Sequence, residues 1–358
     1  MRMKDTHKIV LTGGPCAGKS TAMANIKRHF EEIGYKVFLV PEAATILINT
    51  GIHPANKDFQ DCIYETIMNL ENVTERMANN IDGKKLIICD RGILDGKAYT
   101  KKEAWHTLIS EQGTDEITLK NRYDSVIHLC TAPKEFYTTE NNAARSEGYE
   151  EAYTLDNKTK NAWLGAKLSV INNEGGFNDK INRVIGSISK TLGEPKLEIE
   201  RKYIVSDFNE SQLRSMGEYL KFDISQSYIK INELYEERVR KVVSESGSAY
   251  YHTIKEKREN SAERIETEQI ISQHEYEALS KMRISSIDKT RYCFIYENHQ
   301  FELDVFSDKT AVLEVELESA DENVVLPPLS ILREVTDDLS FRNANLSTKL
   351  SHFNNIGR

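Results

Sequence analysis

Two patterns of apolar and polar positions divide the chain. From Ile9 to about Leu192, short apolar segments alternate with longer amphipathic segments, which is typical of strands and helices in an α/β domain. The predicted strands are residues 9–12, 37–40, 86–89, 125–130 and 168–172. Continuous apolar runs of this kind indicate strands that are buried on both faces of a parallel sheet.

The second pattern begins after a segment with helical spacing over residues 178–192, where Gly193, Glu194 and Pro195 provide stop signals. We therefore predict two domains, residues 1–193 and 194–358. In the second, apolar and charged residues alternate with period two in LEIERKYIV, EERVRKV, YYHTIKEKR, RIETEQI, KTRYCFIY, HQFELDVF and AVLEVELE. This predicts an antiparallel β domain, closed or nearly so, with helices over residues 210–220 and 274–282.

Composition narrows the class of protein. A chain of 358 residues, 39% hydrophobic and 29% charged, is typical of two globular domains, and it has no apolar run of the roughly 18 residues that a membrane span needs. The first residues lack the apolar core of a secretory signal, and five singly spaced cysteines indicate reduced thiols. We therefore expect a cytoplasmic protein. The net charge of −9 argues against a broad nucleic-acid surface, although a short RNA 5′ end stays a possible ligand. The sequence does not predict the oligomeric state.

Residues 13–20 read GGPCAGKS, a complete GxxxxGK[ST] motif between a predicted strand and a predicted helix. Gly13 and Gly18 let the backbone curl so that its N–H groups point at phosphate oxygens. Lys19 is predicted to reach the β- and γ-phosphates and Ser20 to help hold Mg²⁺, and Thr21 is assigned to the same nucleotide site. The motif predicts a site for ATP or GTP.

Acidic residues follow two of the predicted strands. Asp90 ends the strand in LIICDRG, with Arg91 and Asp95 on the next loop, and there it could hold the metal directly or through water. It could instead cap a helix. Glu42, in LVPEAAT, could orient or deprotonate an acceptor hydroxyl, or serve as a first-turn carboxylate of a helix.

These motifs resemble the P-loop ATPases related to the kinase module of the NadR protein, over about residues 7–193. The resemblance implies that Arg145, in NNAARSEGYEEAY, closes over the phosphates as a lid arginine, whereas a solvent-facing arginine is the alternative. No residue identifies an acceptor, so this domain could phosphorylate, hydrolyse or only sense a nucleotide.

Charges of one sign share a strand face in the second domain, because side chains two apart point to the same side. Basic examples are Arg238 with Arg240, Lys255 with Lys257 and Lys289 with Arg291, and acidic examples are Glu198 with Glu200, Glu302 with Asp304, and Glu314 with Glu316 and Glu318. An ordinary solvated sheet face is the alternative. Like charges repel unless something lies between them, and a polyphosphate chelated to Mg²⁺ or Mn²⁺ would satisfy both kinds of pair.

The segment EIERK resembles the ExExK motif of the CYTH superfamily, the triphosphate tunnel metalloenzymes, and ERVRK, HTIKEKR, AERIETE, DKTRY, FELDVF, LEVELE and REVTDD resemble its later strands. The resemblance, over about residues 197–350, implies an eight-stranded antiparallel tunnel. It implies metal ligands at Glu198, Glu200, Asp304, Glu314 and Glu316, with Glu302 in support. It implies phosphate contacts from Lys202, Arg238, Arg240, Lys255, Lys257, Arg264, Lys289 and Arg291. Glu266 and Glu268 could pair with arginine instead of metal.

The leading interpretation is hydrolysis of a triphosphate that needs Mg²⁺ or Mn²⁺, with Glu198, Glu200 and Lys202 as the catalytic residues and a metal-activated water as the nucleophile. Tripolyphosphate, a nucleoside triphosphate or thiamine triphosphate could be the substrate. Three alternatives stay open: an adenylate cyclase that releases cyclic AMP and pyrophosphate, a polyphosphate-binding module that controls the P-loop domain, and an RNA 5′-triphosphatase.

Overall fold

The computed structural model describes residues 6–137, 148–193, 199–232, 234–257, 264–317 and 322–356, with backbone alone at residues 257, 264, 265 and 350–356. The chain forms two compact units, Met1–Lys196 and Leu197–Arg358. Each unit has its own sheet and its own apolar clusters.

The first unit contains the five-stranded parallel sheet that the apolar segments predict. Its strands lie in the order β2-β3-β1-β4-β5, so the phosphate-loop strand β1 is central, with β3 and β4 as neighbours. The strands are β1 Thr6–Gly13, β2 Lys36–Val40, β3 Lys85–Asp90, β4 Ser125–Leu129 and β5 Leu168–Ile171. Each predicted strand of this domain is therefore confirmed, with ends that differ by a few residues.

Helices cover both faces of this sheet. Successive β1 residues belong to different clusters: Val10 packs with Trp105 and Trp163, whereas Ile9 and Leu11 pack with Phe30. The helices are α1 Lys19–Glu32, α2 Ala43–Asn49, α3 Phe59–Asn79, α4 Asp95–Ala98, α5 Lys102–Glu111, α6 Glu116–Lys120, α7 Tyr149–Ala162 and α8 Gly176–Thr191. Burial on both sides explains why these strands read as unbroken apolar runs. None of the described helices has the length and apolar character needed to cross a bilayer.

The second unit contains an antiparallel sheet of nine strands among the described residues, in the order β10-β9-β8-β7-β11-β12-β13-β6-β14. The expected number of eight is therefore wrong, and the described strands include no ladder between the edge strands β10 and β14. The strands are β6 Ile199–Val205, β7 Tyr219–Ile231, β8 Tyr235–Ser244, β9 Gly247–Lys257, β10 Arg264–Ile271, β11 Ser285–Tyr296, β12 His299–Phe306, β13 Ala311–Leu317 and β14 Ile331–Glu334.

Strand β7 is the main element that sequence patterning missed. The helix expected over residues 210–220 ends early, at Met216 of α9 Glu210–Met216, because Gly217 has a φ of +139° and the chain then turns into β7. Ser225, Gln226 and Ser227 lie in the middle of β7 and hide its alternation. The other helices of this unit are α10 Gln273–Ser280 and α11 Asn343–Ile356.

The nine-stranded sheet has one apolar face and one charged face. The apolar face packs Tyr203, Phe301, Leu313 and other side chains against Leu213 of α9. On the opposite face Ala344 and Leu346 of α11 pack on Tyr228, and the Ser285 and Ser347 hydroxyls share a hydrogen bond of 2.8 Å. Many charged strand residues share this second face.

Candidate functional site

The phosphate-loop segment joins β1 to α1 through two glycines with unusual geometry. Gly13 ends β1, and a Cβ there would lie 2.2 Å from the carbonyl oxygen of Leu129. Gly18 precedes α1 with a φ of +86°, which favours glycine. The loop therefore takes the compact strand-to-helix form that the GxxxxGK[ST] motif predicts, with Lys19, Ser20 and Thr21 on the first turn of α1.

The carboxylate of Asp156, on α7, anchors the start of this loop. Its Oδ1 accepts hydrogen bonds from the backbone N–H of Gly14 at 2.9 Å and of Thr131 at 3.1 Å. His128 Nε2 lies 3.1 Å from the same oxygen. Burial alone would raise the pKa of Asp156, but the contact with His128 and the Gly14 amide lower it to about 2. The charged form is thus held in place, and it fixes the path of the loop.

Lys19 lies within a mixed group of charges at the carboxyl ends of β1, β2 and β3. Burial, together with the positive charge of Arg91, lowers the pKa of Lys19 to about 8, against the opposing effect of Asp90 and Glu42. Arg91 donates to Glu42 through Nε at 2.6 Å. Burial alone would raise the pKa of Glu42, but Arg91 and then Lys19 lower it to about 2. The sheet edge therefore gathers the predicted residues into one electrostatic cluster.

Asp90 and Asp95 have different surroundings although both follow β3. Asp95 is buried and accepts from Thr12 Oγ1 at 2.6 Å and Trp163 Nε1 at 3.1 Å, so it supports the loop between β3 and α4. Asp90 Oδ1 is buried with no hydrogen-bond partner among the described residues, and burial raises the pKa of Asp90. An unpartnered carboxylate oxygen close to the charge of Lys19, the residue before the exposed Ser20, fits the Mg²⁺ that the motif implies.

Two charged residues of this site were missed from the sequence, Asp156 and Lys180. Lys180 is 3% exposed, and its Nζ donates to the carbonyl oxygens of Ala17 at 3.1 Å and Cys130 at 2.7 Å. Both charges lie on the buried faces of amphipathic helices, Asp156 four residues after Ala152 and Lys180 four before Val184. A charge on the apolar side of a helix was the signal that could have found them.

Strand pairing places the charged residues of the second unit on one face. The register sets Tyr228 opposite both Arg238 and Ser285, and directly paired residues of antiparallel strands point to the same side. Continuing across each ladder assigns two groups to this face. The arginine cluster comprises Glu236, Arg238, Arg240, Lys255, Glu266 and Glu268, and the acid-rich cluster comprises Glu200, Lys202, Lys289, Arg291, Glu302, Asp304, Glu314 and Glu316.

Each group of like charges is neutralised in large part by neighbouring strands. In the acid-rich cluster Lys202 Nζ contacts Glu314 at 2.6 Å and Glu200 at 3.2 Å. Arg291 contacts Glu302 and both oxygens of Asp304, and Lys289 contacts Asp304. The expectation that like charges on one strand stay unbalanced without a ligand is therefore wrong for most of them, because opposite charges come from the adjacent strands.

The acid-rich cluster nevertheless keeps an excess of negative charge. It has five carboxylates against three cations, a difference of two. Glu302 is directly opposite Glu314, and Glu200 is opposite Glu316, which is an unfavourable arrangement for carboxylates. Burial raises the pKa of Glu302, and the neighbouring carboxylates raise it further. Their oxygen atoms are hard ligands that suit Mg²⁺ or Mn²⁺.

In the arginine cluster the carboxylates bind arginine and lysine. Glu266 lies 3.5 Å from Arg238 and 2.7 Å from Lys255, and Glu268 lies 3.1 Å from Arg240. The Nε atoms of Arg238 and Arg240 are buried and have no hydrogen-bond partner within the described ranges. The cluster therefore retains unused donors that could serve an anionic ligand.

Some predicted site residues fall outside these observations. Arg145 and Glu198 lie outside the described residues, and so do the side chains of Lys257 and Arg264. The backbones of Lys257 and Arg264 pair with each other across β9 and β10. Asp304 is buried against Lys289 and Arg291, so a metal ligand role at that residue stays a prediction that would require release of a cation.

Comparison with known proteins bears on the first unit. Residues 8–180, slightly less than half of the chain, match the family described as an AAA domain. This match, the complete motif and the strand order identify the first unit as a P-loop domain. The family match ends before the strands of the second unit. No curated protein matches the sequence significantly.

Several solved structures are similar to parts of the chain. Deoxyadenosine kinase from M. mycoides with bound dATP is 20% identical, covers 51% of this chain and 99% of its own, and has a TM-score of 0.34. NadR in complex with NAD and AMP-PNP is 14% identical, with coverages of 55% and 51% and a TM-score of 0.39. The PH1819 protein from Pyrococcus horikoshii OT3 is 19% identical, with coverages of 35% and 81% and a TM-score of 0.28. Similarity at this level assigns neither a substrate nor a reaction.

Proposed function

We propose that the first unit binds a nucleoside triphosphate, ATP or GTP, with Mg²⁺ and transfers or hydrolyses its terminal phosphate. The observation that carries this proposal is the convergence of Lys19, Asp90, Arg91 and Glu42 at the phosphate loop. Each has a place in phosphoryl transfer, which depends on positioning and on neutralising charge at the transferred group.

The charge of each residue indicates its role in the proposed site. Backbone N–H groups of the loop and the amino-terminal end of α1 would bind the phosphates, and Lys19 would bind the terminal ones. Ser20 and Asp90 would hold the Mg²⁺, which when bound neutralises phosphate charge. Glu42 keeps a pKa of about 2, so it is a charged acceptor at neutral pH that could orient the hydroxyl or water that receives the phosphate.

Equilibrium dialysis with radiolabelled ATP and GTP tests this proposal. Lys19→Ala should abolish the tight component of binding, because the main contact to the terminal phosphates is removed. Lys27→Ala is the matched control: Lys27 is on the same helix and pairs only with the exposed Glu31 at 3.8 Å in the described structure. Equal binding by wild type and Lys19→Ala would refute the proposal.

A second function is favoured by the negative excess of the acid-rich cluster beside the unused arginine donors. We infer that this face hydrolyses a triphosphate with Mg²⁺ or Mn²⁺, in line with the resemblance of EIERK to triphosphate tunnel metalloenzymes. Glu200, Glu314 and Glu316 would hold the metal, which when bound activates a water. Lys202 and the cations of both clusters would bind phosphate oxygens. Tripolyphosphate, a nucleoside triphosphate or thiamine triphosphate would be hydrolysed.

The products and a pair of variants separate this function from its alternatives. Phosphate, pyrophosphate and cyclic nucleotide release is measured for each triphosphate with Mg²⁺ or Mn²⁺ and after chelation. Glu200→Ala should lower phosphate release at least tenfold, whereas Lys19→Ala should leave tripolyphosphate hydrolysis intact. Glu245→Ala, at an exposed turn residue, is the control.

Other outcomes assign other functions. Cyclic AMP with pyrophosphate would identify a cyclase. Turnover abolished by Lys19→Ala and merely modulated by Glu200→Ala would identify a phosphate-binding regulatory module. Hydrolysis that survives both variants would refute the second function.

A further inference from the structure

A solvent-exposed aromatic ring lies beside the phosphate loop. Phe177, the second residue of α8, is 45% exposed. A Cβ placed on Gly18 would be 2.6 Å from its Cε2, so the ring packs against the residue immediately before Lys19. Two features therefore favour glycine at residue 18: its φ of +86°, and the Phe177 ring, which fills the space that a Cβ would need.

The segment that carries Phe177 is tied to the loop. Gly175 and Gly176 have φ values of +74° and +83°, and they turn the chain sharply from β5 into α8. Three residues after the ring, Lys180 Nζ donates to the carbonyl oxygen of Ala17 in the loop and to Asn173 Oδ1 at 2.7 Å. One buried ammonium group thus connects the loop to the segment after β5.

A second cation holds the same segment from its other side. Arg183 donates to Asn172 Oδ1 at 2.8 Å and to the carbonyl oxygen of Glu174 at 2.8 Å. Polar contacts therefore fix the segment that carries Phe177, and the ring lies beside Gly18. Such preorganisation lowers the entropic cost of recognition.

We propose that Phe177 is the platform on which the base of the bound nucleotide stacks. The proposal rests on the proposed nucleotide function of the P-loop, and it adds that the ligand is recognised as a nucleoside triphosphate and not by its phosphates alone. In the proposed complex the phosphates would bind the loop and the start of α1, where Ser20 and Thr21 are exposed, so the nucleoside would extend from them on this exposed side. A ring that costs free energy while exposed to water gains a partner when a base covers it.

Stacking makes a specific prediction about ligands. Every base has a π-face, so ATP and GTP should depend on Phe177 to a similar extent, whereas tripolyphosphate, which has no base, should not depend on it. Loss of one base–aromatic contact should weaken binding about tenfold. A purely structural role for the ring would weaken all three ligands alike, because the shape of the loop would change.

The experiment measures displacement of radiolabelled ATP by unlabelled ATP, GTP or tripolyphosphate. Binding at the P-loop is taken as the radiolabelled ATP bound by the wild type minus that bound by Lys19→Ala. This difference excludes ATP bound to the second unit. Phe177→Ala and Phe177→Leu should weaken ATP and GTP about tenfold and leave tripolyphosphate within about twofold. Phe177→Tyr should bind like wild type. Met77→Ala, an exposed apolar residue of α3, is the control.

Each result bears on the proposal. Unchanged ATP affinity in Phe177→Ala, equal weakening of ATP and tripolyphosphate, or full affinity in Phe177→Leu would overturn the stacking role while leaving the nucleotide site intact. Absence of any Lys19-dependent ATP binding in the wild type would instead overturn the proposed function itself, and the stacking role with it.

Discussion

Replacement of Asp156 by asparagine should destabilise the first unit through the loss of one charge. Asp156 is 3% exposed, and its Oδ1 accepts from Gly14 and Thr131. Asparagine keeps the size of the side chain and a carbonyl oxygen in the same position. Asp156→Asn therefore tests what the negative charge contributes beside His128 and at the start of the phosphate loop.

The magnitude follows from the pKa of Asp156, which is lowered from 3.8 to about 2. At about 1.4 kcal/mol for each pKa unit, the charge stabilises the folded state by about 2 kcal/mol at neutral pH. Because the folded pKa lies below the unfolded one, this stability is fully present above about pH 4 and is lost as the pH falls towards 2. We expect Asp156→Asn to be about 2 kcal/mol less stable at pH 7, and the difference to shrink below pH 4.

Urea unfolding followed by tryptophan fluorescence measures the stability of the first unit, where Asp156 lies. The chain has two tryptophans, Trp105 and Trp163, and both are buried in the core of the first unit. Asp82→Asn, at an exposed loop residue, should change the free energy of unfolding by less than about 0.5 kcal/mol. A loss in Asp156→Asn as small as that of the control, or one that stays constant from pH 7 to pH 3, would refute the reasoning.

Two further predictions concern buried cations. Because the pKa of Lys19 is about 8, the affinity of the free protein for ATP should fall as the pH rises above 8, by about tenfold at pH 9; Lys19→Arg should show no such fall in equilibrium dialysis, and a parallel decline in both proteins would count against the assignment. Asp304→Asn should lower the free energy of unfolding by about 3–5 kcal/mol, since Lys289 and Arg291 would lose their buried partner. Asp288→Asn, exposed on the same sheet, should change it little in thermal unfolding, and equal effects in the two variants would contradict the buried-pair argument.

The first unit could be predicted in most of its features from local signals. Its five strands are short apolar runs, and the phosphate loop is one contiguous motif between a strand and a helix. The residues that hold the loop were not predictable in the same way. Gly14 and Asp156 are 142 residues apart, and Lys180 is 163 residues from Ala17, so only the folded chain brings them together.

The second unit shows the limit of period-two patterning more clearly. Alternation identified the charged strands but not β7, because the consecutive residues Ser225, Gln226 and Ser227 place polar side chains on both faces of that strand. The sequence also suggested unbalanced like charges within single strands. Register decides that question, because it sets Lys202 beside Glu314, 112 residues away.

The sequence by itself determined the features that depend on neighbouring residues: the parallel strands, the phosphate loop, and the alternation of apolar and charged residues along the strands of the second unit. Tertiary structure decided which distant groups meet, namely Asp156 with the loop, Phe177 with Gly18, and the cations of β11 with the carboxylates of β12. The physical reason is the distance along the chain over which each interaction acts. Backbone conformation and side-chain periodicity are set over a few residues, whereas ion pairing and burial depend on which segments pack together, and only the whole fold specifies that.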